Sequence, residues 1–420
     1  MSTYGRRDFL KAGAAAAVAA SFPLLPGCAT TPSGARVVVI GGGFGGATAA
    51  KYIRLWDPSI DVVLVEREPG FTSCPISNLV LAGYASMREI SHGYDGLRAH
   101  GVQVVQDEVV AVDAAKRTLR LARGGDLGYE RLVVSPGIDF MYNEIQGYEP
   151  AMQAGGVLHA WKAGPQTEAL RAQLEQMRDG GVYALSIPLA PYRCPPGPYE
   201  RVSMVAAYFK QAKPRSKVLV LDANPDVTSK GGLFKRAWAD LYKGLIEYRG
   251  NAKAIGVSPG AIRLEVEDVK ADVLNVVPPH RAGDIALKAG LITHNNRWCE
   301  VDWRSMESKK VPGIHVLGDA TLSAPGMPKS GSMANNHGKI AAAAIVELLR
   351  GRAPEPQKII NTCYSFVSQK EAIRVSSVHQ WDGKTLTPVK GAGGVSPARS
   401  EAEASFAWNW ARTIWADSVG

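Results

Sequence analysis

The chain has 420 residues, 46% of them apolar and 21% charged, with a formal net charge of +9. This is an ordinary globular composition, long enough for two or three domains. Five scattered cysteines exclude a disulfide scaffold, and the lack of a Lys/Arg run or a basic stripe interleaved with aromatics sets nucleic acid aside. A modest positive excess suits an anionic small substrate or an acidic protein partner.

Residues 1–28 read as an address rather than as part of the fold. Arg6-Arg7-Asp8-Phe9-Leu10-Lys11 precedes a weakly apolar run from Ala12 to Leu25. That run is shorter than the roughly 20 residues a bilayer span requires. Twin arginines before a short apolar stretch read as a Tat export signal, a route that carries folded proteins to the periplasm. Leu25-Pro26-Gly27-Cys28 admits a second reading, a lipoprotein box with a lipid anchor on Cys28. The proline before the glycine is atypical of such a box, so both readings stand.

Arg36 to Ile40 predicts a buried strand running into Gly41-Gly42-Gly43-Phe44-Gly45-Gly46 and a small-residue helix start. A second apolar strand, Val62 to Val65, ends on Glu66. Strand, G-x-G-x-x-G, helix, strand and acid together form a dinucleotide-binding unit. In it Gly41 permits the tight turn, Gly43 lets backbone approach a pyrophosphate, and Gly46 lets helix and strand pack closely. The helix N-terminus offers free N–H groups to phosphates, and Glu66 can hydrogen-bond a ribose. Cys74 follows eight residues after Glu66.

Further strands are expected at 131–134, 182–187, 217–221, 272–277 and 313–317, with helices at 200–211, 233–244 and from about Asn335 to Leu349. Alternating strands and helices indicate parallel sheets. Gly351 to Pro356 reads as a linker, and 357–420 as a tail module ending in an aromatic-rich helix. On that helix Phe406, Trp410 and Ile414 share one face, read as packing on the first domain rather than as membrane contact, with Trp410 approaching the cofactor. The second α/β unit lacks a glycine fingerprint: Pro188 to Glu200 holds five prolines and Cys194. Prolines have no N–H, so this loop cannot offer a row of donors to a nicotinamide dinucleotide, but it can hold a thiol rigidly. No C-x-x-C, C-x-x-C-H or His/Cys cluster occurs, so neither a metal site nor an attached haem is expected. His280, His294, His315 and His337 have no ligand spacing and are read as surface or core residues, and Cys299 as a packing residue.

The order of motifs resembles the flavoprotein subunit of flavocytochrome c sulfide dehydrogenase, a relative of sulfide:quinone oxidoreductases within the glutathione reductase-like flavoproteins. The matching residues are the glycine fingerprint, Cys-Pro-x-Ser-Asn at 74–78, Ala-Trp-Lys-Ala-Gly at 160–164 and Arg-Cys-Pro-Pro-Gly-Pro-Tyr-Glu at 193–200. Gly-Asp at 318–319, Met-Pro-Lys-Ser-Gly at 327–331 and Asn-Thr-Cys-Tyr-Ser at 361–365 complete the set. The resemblance implies an α/β fold with two Rossmann-like domains and a C-terminal α+β domain. The FAD domain would comprise 36–146 and 279–352, the NAD-like unit without NAD 147–278, and the tail domain 353–420. It also implies FAD on Gly41, Gly43, Gly46 and Glu66, with Gly318 and Asp319 at the ribityl chain and Lys329 and Ser330 before the helix that faces the ring. Cys74 would be bonded to the flavin 8α-methyl, Cys194 and Cys363 would form a redox disulfide, and Glu200 is the candidate base. A c-type cytochrome subunit would take the electrons.

General chemistry fits these roles. Sulfide at neutral pH is largely HS⁻, and its attack on a disulfide yields a persulfide and a thiolate. Glu200 could equally be a carboxylate placed favourably at a helix start, and the Cys194–Cys363 bridge could be purely structural. Two rival functions remain at this point: a sulfide:quinone oxidoreductase, and a non-catalytic flavoprotein partner of a thiosulfate-oxidising system.

Overall fold

The computed structural model describes residues 34–420, so the export signal and Cys28 lie outside the described residues. A seven-stranded sheet forms the first domain, in the order Val301–Asp302, Glu307–Ser308, Ile314–Val316, Arg131–Val134, Arg36–Ile40, Asp61–Glu66, Gln103–Gln106. Its central strands are parallel, and their continuous Val/Ile/Leu runs are buried on both faces as such a sheet requires. Helix Phe44–Trp56 packs against helix Gly331–Leu349 on this sheet. A Cβ at Gly338 would press on the Gly45 carbonyl, so the two backbones approach closely only because that position is glycine. An antiparallel insert, Val109–Asp113, Thr118–Leu121 and Gly125–Gly128, was not expected from the sequence.

The second unit is a parallel sheet in the order Ile246–Arg249, Lys217–Asp222, Val182–Ile187, Val273–Val276. Helix Gly197–Ala212 starts three residues before the expected Glu200, because Gly197 and Pro198 form its first turn, where proline lacks only an N–H that would be unpaired anyway. Helix Gly231–Leu241 stops three residues short of Gly244.

The tail is an antiparallel sheet of Ile359–Phe366, Ala372–Trp381, Leu386–Pro388 and Gly394–Val395, followed by helix Glu401–Val419. Two expectations are corrected here. Ser330 caps a helix that starts at Gly331, four residues earlier than Asn335, by accepting the Met333 N–H at 3.1 Å. On the last helix only Phe406 departs from the expected face: it is 54% exposed, while Ile414 is buried with Ala404, Ala407, Ala411, Trp415 and Ser418, and Trp410 is half-buried on the cavity wall. Alanines let the helix sit close to helix Phe44–Trp56 and the tail sheet.

Candidate active site

A cavity of about 1210 Å³ is lined by both Rossmann-type units and the tail. In the glycine loop Gly41 has φ +94°, and a Cβ there or at Gly46 would collide with backbone, on the Ser135 and Gly41 carbonyls respectively. Gly43, by contrast, has open space where a Cβ would point, and it lines the cavity. Glu66 also lines it, its carboxylate accepting the Gly42 N–H at 2.6 Å and the Glu68 N–H at 2.9 Å. Asp319 lines it too. Its Oδ1 is buried without a hydrogen-bond partner, and burial raises its carboxyl above the usual range.

The sulfur atoms lie in the same cavity. Cys74, Cys194 and Cys363 are half-buried free thiols, and all three line it. Cys74 Sγ lies 3.8 Å from the Trp161 carbonyl. The Cys194 backbone is held in the left-handed region (φ +58°), with its N–H on the Lys329 carbonyl at 2.8 Å. Cys363 comes from the tail strand Ile359–Phe366, and its Sγ lies 3.4 Å from Asn361 Oδ1. Burial pushes both thiols up, and Cys363 is among the groups that raise Cys194. Glu200 lies beside them on helix Gly197–Ala212. Its two oxygens accept Asn78 Nδ2 and the Phe366 N–H, each at 2.7 Å, and burial raises its carboxyl.

Models of known families match most of this chain: the central part of the sulfide dehydrogenase [flavocytochrome c] flavoprotein chain at 167–278, the flavocytochrome c sulphide dehydrogenase flavin-binding part at 355–419, and pyridine nucleotide-disulphide oxidoreductase at 35–178. The flavoprotein chain of sulfide dehydrogenase [flavocytochrome c] from Chlorobaculum thiosulfatiphilum is 64% identical over 45 residues, 11% of this chain and 94% of that sequence. The chain belongs to the flavocytochrome c sulfide dehydrogenase flavoprotein family. The mitochondrial sulfide:quinone oxidoreductase of Mus musculus is 24% identical over 309 residues, 70% of this chain and 67% of that one. Its Dictyostelium discoideum counterpart is 22% identical, and the match spans 65% of its length, so this chain aligns with about two thirds of each. The sulfide:quinone oxidoreductase structure from Aquifex aeolicus shares the fold with a TM-score of 0.76 at 18% identity, over 91% of both chains. A Tat signal model matches residues 4–23, which supports export to the periplasm.

Membership makes this flavocytochrome c-type chain a flavoprotein oxidoreductase, and the cavity fits its flavin. The orphaned Asp319 Oδ1 needs a hydroxyl donor, which a ribityl chain carries, and the open side of Gly43 leaves room for a pyrophosphate against backbone. Gly318, Ser330 and Gly331 line the cavity, but Lys329 does not. The Lys329 ammonium is turned to the Asp319 and Thr321 carbonyls and sits 3.7 Å from the Trp298 ring centre. It braces the Asp319 turn, and burial there brings it down to about 7.

Several residues around the site were not singled out from the sequence. Asn78 Oδ1 accepts Arg201 Nε at 3.0 Å while Asn78 Nδ2 holds Glu200, so both lie in one buried network. His337 Nδ1 accepts the Gly318 N–H at 3.2 Å and so fixes the Gly318-Asp319 turn. Asn78 stood in the Cys-Pro-x-Ser-Asn motif and Arg201 directly after Glu200, which was the available hint. His280, His315 and His337 are buried. Among the described residues no cluster of His, Cys, Asp and Glu could hold a metal ion. Cys299 is fully buried, its thiol pushed up to about 12 by burial.

In the second unit Asp222 ends the strand after Val182–Ile187, as Glu66 ends its counterpart in the first. Asp222 is fully buried and its oxygens are taken by Tyr199, Tyr248 and Asn224. No lone pair there is turned toward an open site.

Proposed function

We propose that this protein oxidises sulfide in the periplasm through a redox disulfide between Cys194 and Cys363, and passes the electrons to a c-type cytochrome subunit. The observation that carries this is that two cysteines 169 positions apart, from the second unit and the tail, line one cavity together with Glu200 and Asp319. FAD, which Gly41, Gly43, Glu66, Gly318 and Asp319 would hold while Gly46 lets the turn close, would supply a two-electron acceptor for the sulfur chemistry that can return electrons one at a time.

The chain's own residues account for the rest. HS⁻ attacks one sulfur of the bridge: the S–S bond breaks, a new S–S bond forms to the sulfide sulfur, and the electron pair leaves on the other cysteine. Glu200 takes the remaining proton, since a carboxyl raised by burial above its ordinary range is a stronger base than a free one. Asn78 and the Phe366 N–H fix its two oxygens. The N-terminus of helix Gly331–Leu349, with Ser330, Gly331 and Ala334 on the cavity wall, favours negative charge there. Cys74, on the same wall, is the residue we assign to a thioether with the flavin 8α-methyl. The proline loop and the occupied Asp222 argue against a nicotinamide dinucleotide as electron donor or acceptor. Cys28 is the residue a lipid anchor would use. Among the described residues no helix is long and apolar enough to cross a membrane.

The decisive experiment is anaerobic sulfide oxidation by the purified protein with cytochrome c or a soluble quinone as acceptor. Turnover with cytochrome c and not with quinone supports the proposal. Quinone reduction alone gives the sulfide:quinone reading instead, and no turnover with either, despite bound flavin, favours a non-catalytic partner.

A further inference from the structure

Lys230 stands at the start of helix Gly231–Leu241, only 7% exposed. Its backbone has φ +55°, a region that favours glycine and costs a lysine energy. Its ammonium donates to Ser365 Oγ at 2.8 Å and to the carbonyl of Cys363 at 3.3 Å. Cys363 and Ser365 are two apart on one strand, so their side chains share a face. The ammonium therefore sits on the same side of the strand as the Cys363 sulfur. Among the described residues no carboxylate pairs with it at ion-pair distance, and its hydrogen-bond partners are neutral.

A buried ammonium without a counter-ion is costly, and such a group persists where a negative charge forms beside it. The charged and titratable groups around it are Cys363 on the tail strand, Glu200 in the first turn of helix Gly197–Ala212, Cys194 in the loop before it, and Glu403 on the last helix. Of these, Cys363 is the one whose own carbonyl and strand neighbour it holds. Ser330 and Asn361 add hydrogen-bonding groups to the same sulfur's surroundings, Ser330 Oγ donating to Asn361 Oδ1 at 2.8 Å.

We propose that the Lys230 ammonium is the counter-charge for the sulfur anion that appears on Cys363 when sulfide opens the bridge. Resting on the sulfide chemistry proposed above, the assignment holds for either direction of attack. If HS⁻ bonds to Cys194, the electron pair of the broken bond resides on Cys363 as a thiolate. If HS⁻ bonds to Cys363, the electron pair goes to Cys194 and the new Cys363 persulfide loses its proton to Glu200. In both cases negative charge sits on sulfur carried by Cys363. Burial brings Lys230 down to about 8, so it is largely protonated at neutral pH and loses its charge as the pH rises. Lys230 is thus a positioning residue that acts through the cysteine.

The test uses the full-length flavoprotein and two readouts. First, the dithiol form is alkylated with iodoacetamide at a series of pH values and modification at Cys363 is followed by peptide mass spectrometry. Removing a neighbouring positive charge should raise the apparent pKa of Cys363 by about one unit or more in Lys230→Met, and leave it near wild type in Lys230→Arg. Second, anaerobic single-turnover reduction of the flavin by sulfide at pH 7 should slow by about tenfold or more in Lys230→Met, tracking that shift. An unchanged Cys363 alkylation profile in Lys230→Met, or the same shift in Lys230→Arg, overturns the inference. The alkylation arm needs no sulfide, so its failure is distinct from failure of the sulfide reading, which normal reduction by sulfide in Cys363→Ser would expose. Flavin content and melting temperature of each variant guard against misfolding, and should Lys230→Met not fold, Lys230→Gln carries the same two measurements.

Discussion

Glu200→Gln separates a proton acceptor from a structural carboxylate. The wild-type carboxylate accepts two hydrogen bonds, from Asn78 Nδ2 and the Phe366 N–H, both at 2.7 Å. A glutamine has one oxygen to offer. Kept on Phe366, it turns its NH2 toward Asn78 Nδ2; turned toward Asn78, it leaves the Phe366 N–H unpaired. Asn78 cannot flip to compensate, because its Oδ1 holds Arg201 Nε at 3.0 Å and its Nδ2 also gives to the Gly197 carbonyl at 3.2 Å. One hydrogen bond to a charged group is therefore lost, about 1.5–3 kcal/mol. Removal of a buried charge offsets part of this, so the fold and flavin content should survive. Loss of a general base costs about 10²–10⁴ in rate, or roughly 3–5 kcal/mol of barrier. Stopped-flow flavin reduction by sulfide should thus slow far more than the melting temperature falls. The pH dependence gives a second check. Burial raises this carboxyl, so the folded protein holds its proton more tightly than the unfolded chain, whose glutamate titrates near about 4.3. The stability this supplies is complete below the unfolded value and is lost as pH rises through the folded one. Glu200→Gln should flatten that decline and remove the acid limb of the rate profile. Reduction by sulfide at the wild-type rate and with the wild-type pH profile would mean that Glu200 only holds the Phe366 backbone.

Cys194→Ser and Cys363→Ser should each abolish flavin reduction by sulfide while retaining bound flavin; normal single-turnover reduction in either would make the bridge structural. Acid precipitation of the wild-type protein should leave yellow protein, and Cys74→Ser should release the flavin, so free FAD in the wild-type supernatant would refute the thioether. NADH and NADPH should not bleach the flavin anaerobically at a useful rate, since the Asp222 oxygens are already taken by Tyr199, Tyr248 and Asn224; rapid bleaching would move the chain toward nicotinamide-linked reductases.

Much of the scaffold was legible because local rules specify it. The strand from Arg36, the turn at Gly41 and the helix at Phe44 each agree with the others, and the buried parallel strands announce themselves as unbroken apolar runs. The antiparallel insert at 109–128 was not legible, since its strands are short, largely exposed and punctuated by charge and glycine. On the last helix the spacing of Phe406, Trp410 and Ile414 misplaced only Phe406, and it missed Ala404, Ala407 and Ala411, whose small side chains the close packing buries. Within the site, Cys194, Cys363 and Glu200 stand in distinctive motifs. Lys230, Asn78, Arg201 and His337 matter through partners more than 15 residues away, between about 19 and 135 positions, and only the folded chain brings such partners together.

The wall that carries Cys363 and Trp410 reaches the cavity from the final segment of the chain. During synthesis the flavin-binding strands leave the ribosome first and the tail afterwards. A nascent chain thus has the glycine loop and the Gly318-Asp319 turn before it possesses Cys363, and the tail adds the last of the cavity wall. On the proposed redox bridge, a half-made chain would therefore offer cytoplasmic thiols nothing to attack.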